Sequence, residues 1–204
     1  VRAGSKAEMA LPDGTFVHLN AATNLEYDVN NSKQRLVKLS GEAFFDVAKN
    51  PDCPFKVIIN DLQIEVVGTS FNVKTYKKDI VETSLLSGRI RISGGSLPHE
   101  YTLSTGQKAT YSAMDRTLRI SKADAHVEAG WRDNYLIFES TPLIDVIAQI
   151  ERWYGVEIRL HHKQIAQDLL SGSFRNESIQ NVIRSLSIQY GFKYEIHKDI
   201  ITIY

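Results

Sequence analysis

The 204-residue chain holds a single cysteine, Cys53, so no internal disulfide can form. That excludes the small disulfide-scaffold class but leaves the compartment open, because larger exported domains fold without bridges. Charge of one sign is lacking too: 24 Lys and Arg against 24 Asp and Glu leave a formal charge of zero. Neutralising phosphates across a broad face needs a local excess of cations, so a nucleic-acid binder of that kind is disfavoured. No run approaches the ~18 apolar residues that cross a bilayer. Val1–Lys6 has no apolar stretch of the signal-peptide kind. The chain begins on Val1 rather than Met, and the expectation is that the natural protein continues upstream. What is present is ordinary for a globular protein, 43% apolar and 24% charged residues, with length for one large domain or two small ones.

From about Ala7 to Ile120 the apolar residues recur with a period of two. Val17 and Leu19 share a face; Ala43, Phe45 and Val47 alternate with Glu42, Phe44 and Asp46. Leu62, Ile64 and Val66 alternate with Gln63 and Glu65, and Ile90 and Ile92 with Arg89 and Arg91. Such alternation puts one face on a core and the other in water, as in antiparallel sheets. Pro12-Asp13-Gly14, Asn30-Asn31-Ser32, Asn60-Asp61, Lys77-Lys78-Asp79 and Gly94-Gly95 punctuate the strands. Turns at roughly ten-residue spacing predict an all-β sandwich, barrel or coil of sheets.

After Ser121 the pattern changes. Residues 122–134 separate the two domains, with Lys122–Gly130 reading as a linker or a short helix, and from Trp131 onward the period becomes 3.6. Leu143, Val146, Ile147, Ile150 and Tyr154 fall on one helical face. Thr141 is placed to cap this helix, with Pro142 at its first position and Gly155 as a left-handed C-terminal cap. The unit then repeats at an offset of 36 (182 − 146): Val146 answers to Val182, Ile147 to Ile183 and Tyr154 to Tyr190. Each copy reads strand, helix, Tyr-Gly, strand. Two copies are too few for a solenoid, so two β-α-β units sharing one small sheet are expected, with Ile200–Tyr204 as a final hairpin strand. The fold class is therefore α+β: an all-β antiparallel domain over 1–121 and a two-helix βαβ-βαβ module over 135–204.

No catalytic constellation emerges. Cys53 lies in a turn between Pro51 and Pro54, without the helix N-terminus or histidine that would activate a thiol. His161 and His162, adjacent in an extended segment, point to opposite faces and suit no single metal. Phosphate-loop and nucleophile-elbow motifs are absent. Asp13, Glu42, Asp46 and Glu65 read as solvated sheet carboxylates, and Trp153, Tyr154 and Tyr190 as packing at helix ends. Phe44 and Tyr76 fall on polar faces and are mild candidates for a domain or partner contact. No catalytic, cofactor-binding or metal residues are assigned, which leaves a binding or structural protein.

Several strings, in order, resemble one family. They are Leu11-Pro12-Asp13-Gly14-Thr15 with Val17-His18-Leu19-Asn20, then Leu39 through Ala48, Pro54-Phe55, Gly68-Thr69-Ser70-Phe71-Asn72-Val73 and Gly106-Gln107-Lys108-Ala109. Together they are similar to a FecR-type domain. Trp131, Leu136-Ile137-Phe138, Thr141-Pro142-Leu143 and Glu151 through Val156 resemble the C-terminal module of FecR-like regulators, which is itself similar to the short N-terminal domain of secretins and TonB-dependent receptors. Gly41 and Gly68 are expected at a bend or bulge before a strand re-enters the core.

The resemblance implies the periplasmic part of a membrane-anchored anti-sigma factor. An upstream membrane helix and cytoplasmic segment would hold an extracytoplasmic-function (ECF) sigma factor. The periplasmic signalling domain of a TonB-dependent outer-membrane receptor would be the partner of this region, with no nucleic acid bound. Within that reading, Leu170, Ser171, Gly172, Ser173 and Phe174, and Ile200, Ile201, Thr202, Ile203 and Tyr204, are the candidate partner-binding residues, as strands able to pair at an edge. The competing reading is a carbohydrate-binding or adhesin module, which needs a shallow aromatic platform that the sequence supplies poorly.

Overall fold

The structure of the protein, a computed structural model, describes residues 1–27, 35–161 and 163–204. The expected turn at Asn30-Asn31-Ser32, and His162 of the histidine pair, lie outside the described residues. Two compact units divide the chain: Val1 with Lys6–Ala129, and Arg2–Ser5 with Gly130–Tyr204.

The first unit runs through thirteen strands. They are β1 (Ala7–Ala10), β2 (Phe16–Leu19), β3 (Asn24–Tyr27), β4 (Arg35–Ser40), β5 (Glu42–Asp46), β6 (Phe55–Ile59), β7 (Leu62–Val66), β8 (Ser70–Lys74), β9 (Ile80–Ser87), β10 (Arg89–Gly94), β11 (Tyr101–Ser104), β12 (Gln107–Ser112) and β13 (Thr117–Lys122). They form a seven-stranded sheet, β1-β2-β5-β8-β9-β12-β13, and a six-stranded sheet, β11-β10-β7-β6-β4-β3. The alternating apolar residues of both enter one core: Val17, Phe45 and Phe71 from the first, Val57, Ile64 and Ile90 from the second, all fully buried. Each such side chain contributes about 1.5–3 kcal/mol of transfer free energy. Phe45 bridges the layers, its ring centroid 5.2 Å from Phe71 and 5.8 Å from Phe55. This is a β-sandwich.

One pairing departs from the expected antiparallel pattern: β4 and β6 run parallel, from Arg35 opposite Phe55 to Lys38 opposite Ile58. The reason is topological. Between them the chain crosses to the other sheet, runs as β5, and returns, so β6 arrives in the same direction as β4.

The crossing is made by one residue. Gly41, at φ 116°, stands alone between β4 and β5, and Gly88, at φ 95°, stands alone between β9 and β10, which also lie in different sheets. A side chain at Gly41 would press on Thr23 Oγ1 at 2.5 Å, and one at Gly88 on Thr69 Oγ1 at 2.7 Å. Each threonine seals its corner: Glu42 N donates to Thr23 Oγ1 (3.0 Å), and Thr69 Oγ1 donates to Arg89 O (3.0 Å). Gly41 is therefore the expected bend, sharp enough to switch the chain between sheets. Gly68 keeps an ordinary φ but lies so close to Lys49 that a Cβ would sit 2.9 Å from its Cα. The register irregularity nearby falls later, between Ser70 and Phe71.

Residues 122–129, expected as a linker or short helix, contain a short helix and pack with the first unit. The short helix α1 (Ala125–Ala129) carries Glu128, which meets Lys108 Nζ of β12 at 2.9 Å, and Lys108 also meets Glu82 of β9 at 2.9 Å. Burial raises the Glu82 pKa, but Lys108 and Lys74 outweigh it and leave the pKa below its ordinary value.

The second unit contains β14 (Tyr135–Pro142), α2 (Leu143–Tyr154), β15 (Glu157–Leu160), β16 (Leu169–Arg175), α3 (Ile179–Tyr190), β17 (Tyr194–His197) and β18 (Ile200–Ile203). Both helices bury one stripe, Leu143, Val146, Ile147 and Ile150 on α2 and Val182, Ile183 and Leu186 on α3. These join Leu136, Phe138, Ile158, Leu170 and Ile201 in a second core. Gly155 and Gly191 end the helices in the left-handed conformation, at φ 70° and 71°. The strands do not share one sheet as expected. The first strands of the two copies, β14 and β16, pair antiparallel by themselves. The second strands, β15 and β17, flank β18, parallel and antiparallel to it respectively.

Thr141 does not cap α2. Its hydroxyl donates to Glu139 O at 3.3 Å, and Pro142 occupies the N-cap position. The first amides of α2, Leu143 N and Ile144 N, instead donate to the carbonyls of Asp168 and Ala166, each at 2.9 Å. On α3 the cap is a side chain: Ser178 Oγ accepts from Asn181 N at 3.2 Å.

Candidate partner-binding edge

The ten candidate residues fall into two unlike settings. Ile200–Ile203 form β18, the central strand of its sheet, paired on both sides; Tyr204 N then donates to Lys193 O at 2.8 Å. The expectation that Ile200, Ile201, Thr202, Ile203 and Tyr204 offer an edge to another chain is therefore corrected. Ile201 and Ile203 are core residues, and the strand's main-chain groups are used internally. The sequence concealed this because β18 takes a parallel partner, β15, from far along the chain.

Leu170–Phe174 lie in β16, where the setting is different. Its only strand partner among the described residues is β14, with Leu136 opposite Phe174 and Phe138 opposite Gly172. A bulge at Glu139 and Ser140 breaks the register before Thr141 meets Leu170. There Ser140, at φ 44°, donates its amide to Ser171 Oγ at 2.8 Å. On the other side of β16 no strand pairs among the described residues. Leu170 anchors it in the core, while Ser171, Gly172 and Ser173 are exposed and Leu169 is 61% exposed. Gly172 has no steric reason of its own: its φ is ordinary, and a Cβ there would meet nothing within 4 Å. Glycine weakens a strand interior, so internal packing does not account for it.

At the Phe174 end of this strand is a cavity of about 300 Å³, walled by Trp153, Tyr154 and Phe174 with Asn134, Asn176 and Glu177 at its polar side. The Tyr154 hydroxyl donates to Glu177 O at 2.9 Å, and burial, with the Glu177 charge, pushes the Tyr154 pKa up. Asn134 and Asn176 sit at φ 61° and 52°, and Asn176 N donates to Asn134 O at 3.3 Å. Next to it, the Arg175 guanidinium lies over the Tyr135 ring at 4.7 Å. The sequence reading assigned Trp153 and Tyr154 to helix-end packing and missed the cavity. The available signal was the pair of asparagines bounding β14 and β16, since Asn tolerates a left-handed backbone.

The remaining candidates have structural settings. Phe44 is 4% exposed, its ring 6.0 Å from His18, so its reading as a contact residue on a polar face is corrected; Tyr76 is half-buried and donates its hydroxyl to Ala21 O. Asp13 bonds Thr15 and, at 3.1 Å, the buried Arg35, which also donates to the carbonyls of Ala48 and Cys53. The Glu42 carboxylate is buried, accepting from the amides of Asn20 (2.7 Å) and Asn72 (2.9 Å). Asp46 accepts from Ser70, and Glu65 pairs with Arg91 and Lys56. The four carboxylates thus have separate partner sets and form no acid-base pair. No group of three or more His, Cys, Asp or Glu gathers to hold a metal among the described residues. Nor is any described helix long and apolar enough to cross a membrane.

The chain belongs to the FecR family. The family described as FecR protein matches residues 1–91, and that described as FecR, C-terminal, matches residues 135–203. Two crystal structures of a candidate anti-sigma factor from Parabacteroides distasonis share the fold. Each is 30% identical, with a TM-score of 0.88 over 100% of this chain and 96% of that one. No curated protein matches the sequence.

Proposed function

We propose that this chain is the periplasmic relay region of an anti-sigma regulator. In this reading the open edge of β16 pairs with a strand from the signalling domain of a TonB-dependent outer-membrane transducer. A segment beyond one membrane helix holds the ECF sigma factor, and docking outside the cytoplasmic membrane changes that hold. FecR membership and the likeness to a candidate anti-sigma factor support the regulatory role. The observation that carries the docking surface is β16: an unpaired edge, small side chains at 171–173, and a glycine with open space around it. Main-chain hydrogen bonds to an added strand supply affinity, and a small residue lets the second backbone approach.

Neighbouring residues of a strand send their N–H groups to opposite edges. Proline at 172 or 173, one at a time, therefore removes one inward and one outward donor. The outward variant keeps its melting temperature and is expected to bind the signalling domain of the neighbouring transducer at least about tenfold more weakly, one lost hydrogen bond and a steric block being worth ~1.4 kcal/mol or more. Unchanged affinity in a folded outward variant would remove the β16 edge from the reading.

A further inference from the structure

The cavity at the Phe174 end of β16 is formed for a particular side chain. Its walls are the rings of Trp153, Tyr154 and Phe174, and its polar side carries Glu177. Glu177 Oε2 accepts from Asn181 Nδ2 at 2.8 Å, while Oε1 has no hydrogen-bond partner and no cation pairs with the carboxylate among the described residues. An unpaired anion beside aromatic faces attracts a cation that tolerates partial desolvation. A guanidinium fits best. It is planar, stacks on an indole or phenol ring, and presents several N–H donors at once, suiting a carboxylate flanked by two side-chain amides. The strand pair already holds one such arrangement of its own, Arg175 over Tyr135. Arg175 does not line the cavity.

The geometry points to an arginine side chain of the partner as the occupant, projecting from the strand that pairs with β16 and seated between Trp153 and Glu177. This rests on the edge-pairing reading, since Phe174 belongs both to that strand and to the cavity wall. The edge would supply general main-chain affinity, and the cavity would choose among partners by whether arginine stands at the matching position.

The test needs no transducer. The whole chain, labelled with nitrogen-15, is titrated with N-acetyl-arginine methylamide and, separately, with the uncharged isostere N-acetyl-citrulline methylamide. The indole N–H resonances are the readout. Of the chain's two tryptophans, Trp153 lines the cavity and Trp131 is buried elsewhere in the unit, as an internal control. The expected result is a saturable shift of the Trp153 resonance with the arginine probe at millimolar concentrations, at least about fivefold weaker with citrulline, and no such preference in Glu177→Gln. Glu177 is exposed, and glutamine can still accept from Asn181, so the variant retains the fold. Equal response to the two probes, equal shifts at Trp131, or a preference that survives Glu177→Gln would overturn the assignment. Failure here leaves the edge reading intact, because proline at 172 and 173 tests that separately.

Discussion

Two glycines show how differently one residue type serves this chain. Gly41 turns the backbone from one sheet to the other at φ 116°, with Thr23 Oγ1 2.5 Å from where a Cβ would sit. Gly41→Ala combines left-handed strain with a clash against a buried, hydrogen-bonded threonine and is expected to cost about 3 kcal/mol. Gly172→Ala meets open space and is expected to stay within about 0.5 kcal/mol of the parent. Urea unfolding of the two variants checks both. Lys6 supplies a pH test. Burial lowers its pKa from 10.5 to about 8, although the Glu42 charge acts the other way. Below pH 8 the ammonium is carried in both folded and unfolded chains, at a cost to the folded one. Between 8 and 10.5 the unfolded chain binds the extra proton, so stability from this group rises with pH. Lys6→Met is therefore expected to stabilise the protein by about 1–2 kcal/mol at pH 7, the shift being discounted because Lys6 is half exposed. The gain should fade as pH approaches 10. Urea midpoints at pH 7 and 9.5 check it, and a gain equal at both would contradict the assignment.

At the scale of elements, the strand alternation and the helical stripes could be read directly, because both reflect which side chains leave water. Val17, Phe45, Ile64 and Ile90 lie in one core, and Val146, Ile150, Val182 and Leu186 in the other. Pairings between distant strands left no local mark. The parallel pairs β4–β6 and β15–β18, the split of the βαβ repeat into two sheets, and the central place of β18 all depend on which strand arrives alongside. Nothing within a strand marks whether one or both of its edges are paired, so Ile200–Ile203 and Leu170–Phe174 were both open to reading as edges. The helix caps give another instance. Thr141 has the residue type of a cap, but carbonyls from 166 and 168 reach α2 first. Thr141→Ala should thus leave the thermal stability almost unchanged, within about 0.5 kcal/mol. Ser178→Ala, which removes the acceptor for Asn181 N, should cost about 1 kcal/mol. Equal effects of the two changes in thermal melts would contradict this account of the caps.

At the scale of the whole chain, two units with separate cores serve one reading. In the sandwich, Asp13, Glu42, Asp46 and Glu65 are tied to separate structural partners, Phe44 is buried and Tyr76 is hydrogen-bonded. The smaller unit carries the unpaired strand edge and the aromatic cavity beside it. Among the described residues the candidate carboxylates do not converge; recognition by strand addition needs only an open main-chain edge and room to approach. The candidate docking edge was legible in the sequence only in part. Small residues in a strand can be read there, but whether the strand is an edge is a property of the assembled sheet. The most direct test is a titration of the nitrogen-15-labelled chain with the signalling domain of the proposed TonB-dependent transducer, followed by amide shifts. The account predicts saturable binding, with the largest changes at 169–177 and at Trp153 and little change at β18. No saturable change up to roughly several hundred micromolar, or changes confined to the sandwich, would contradict it.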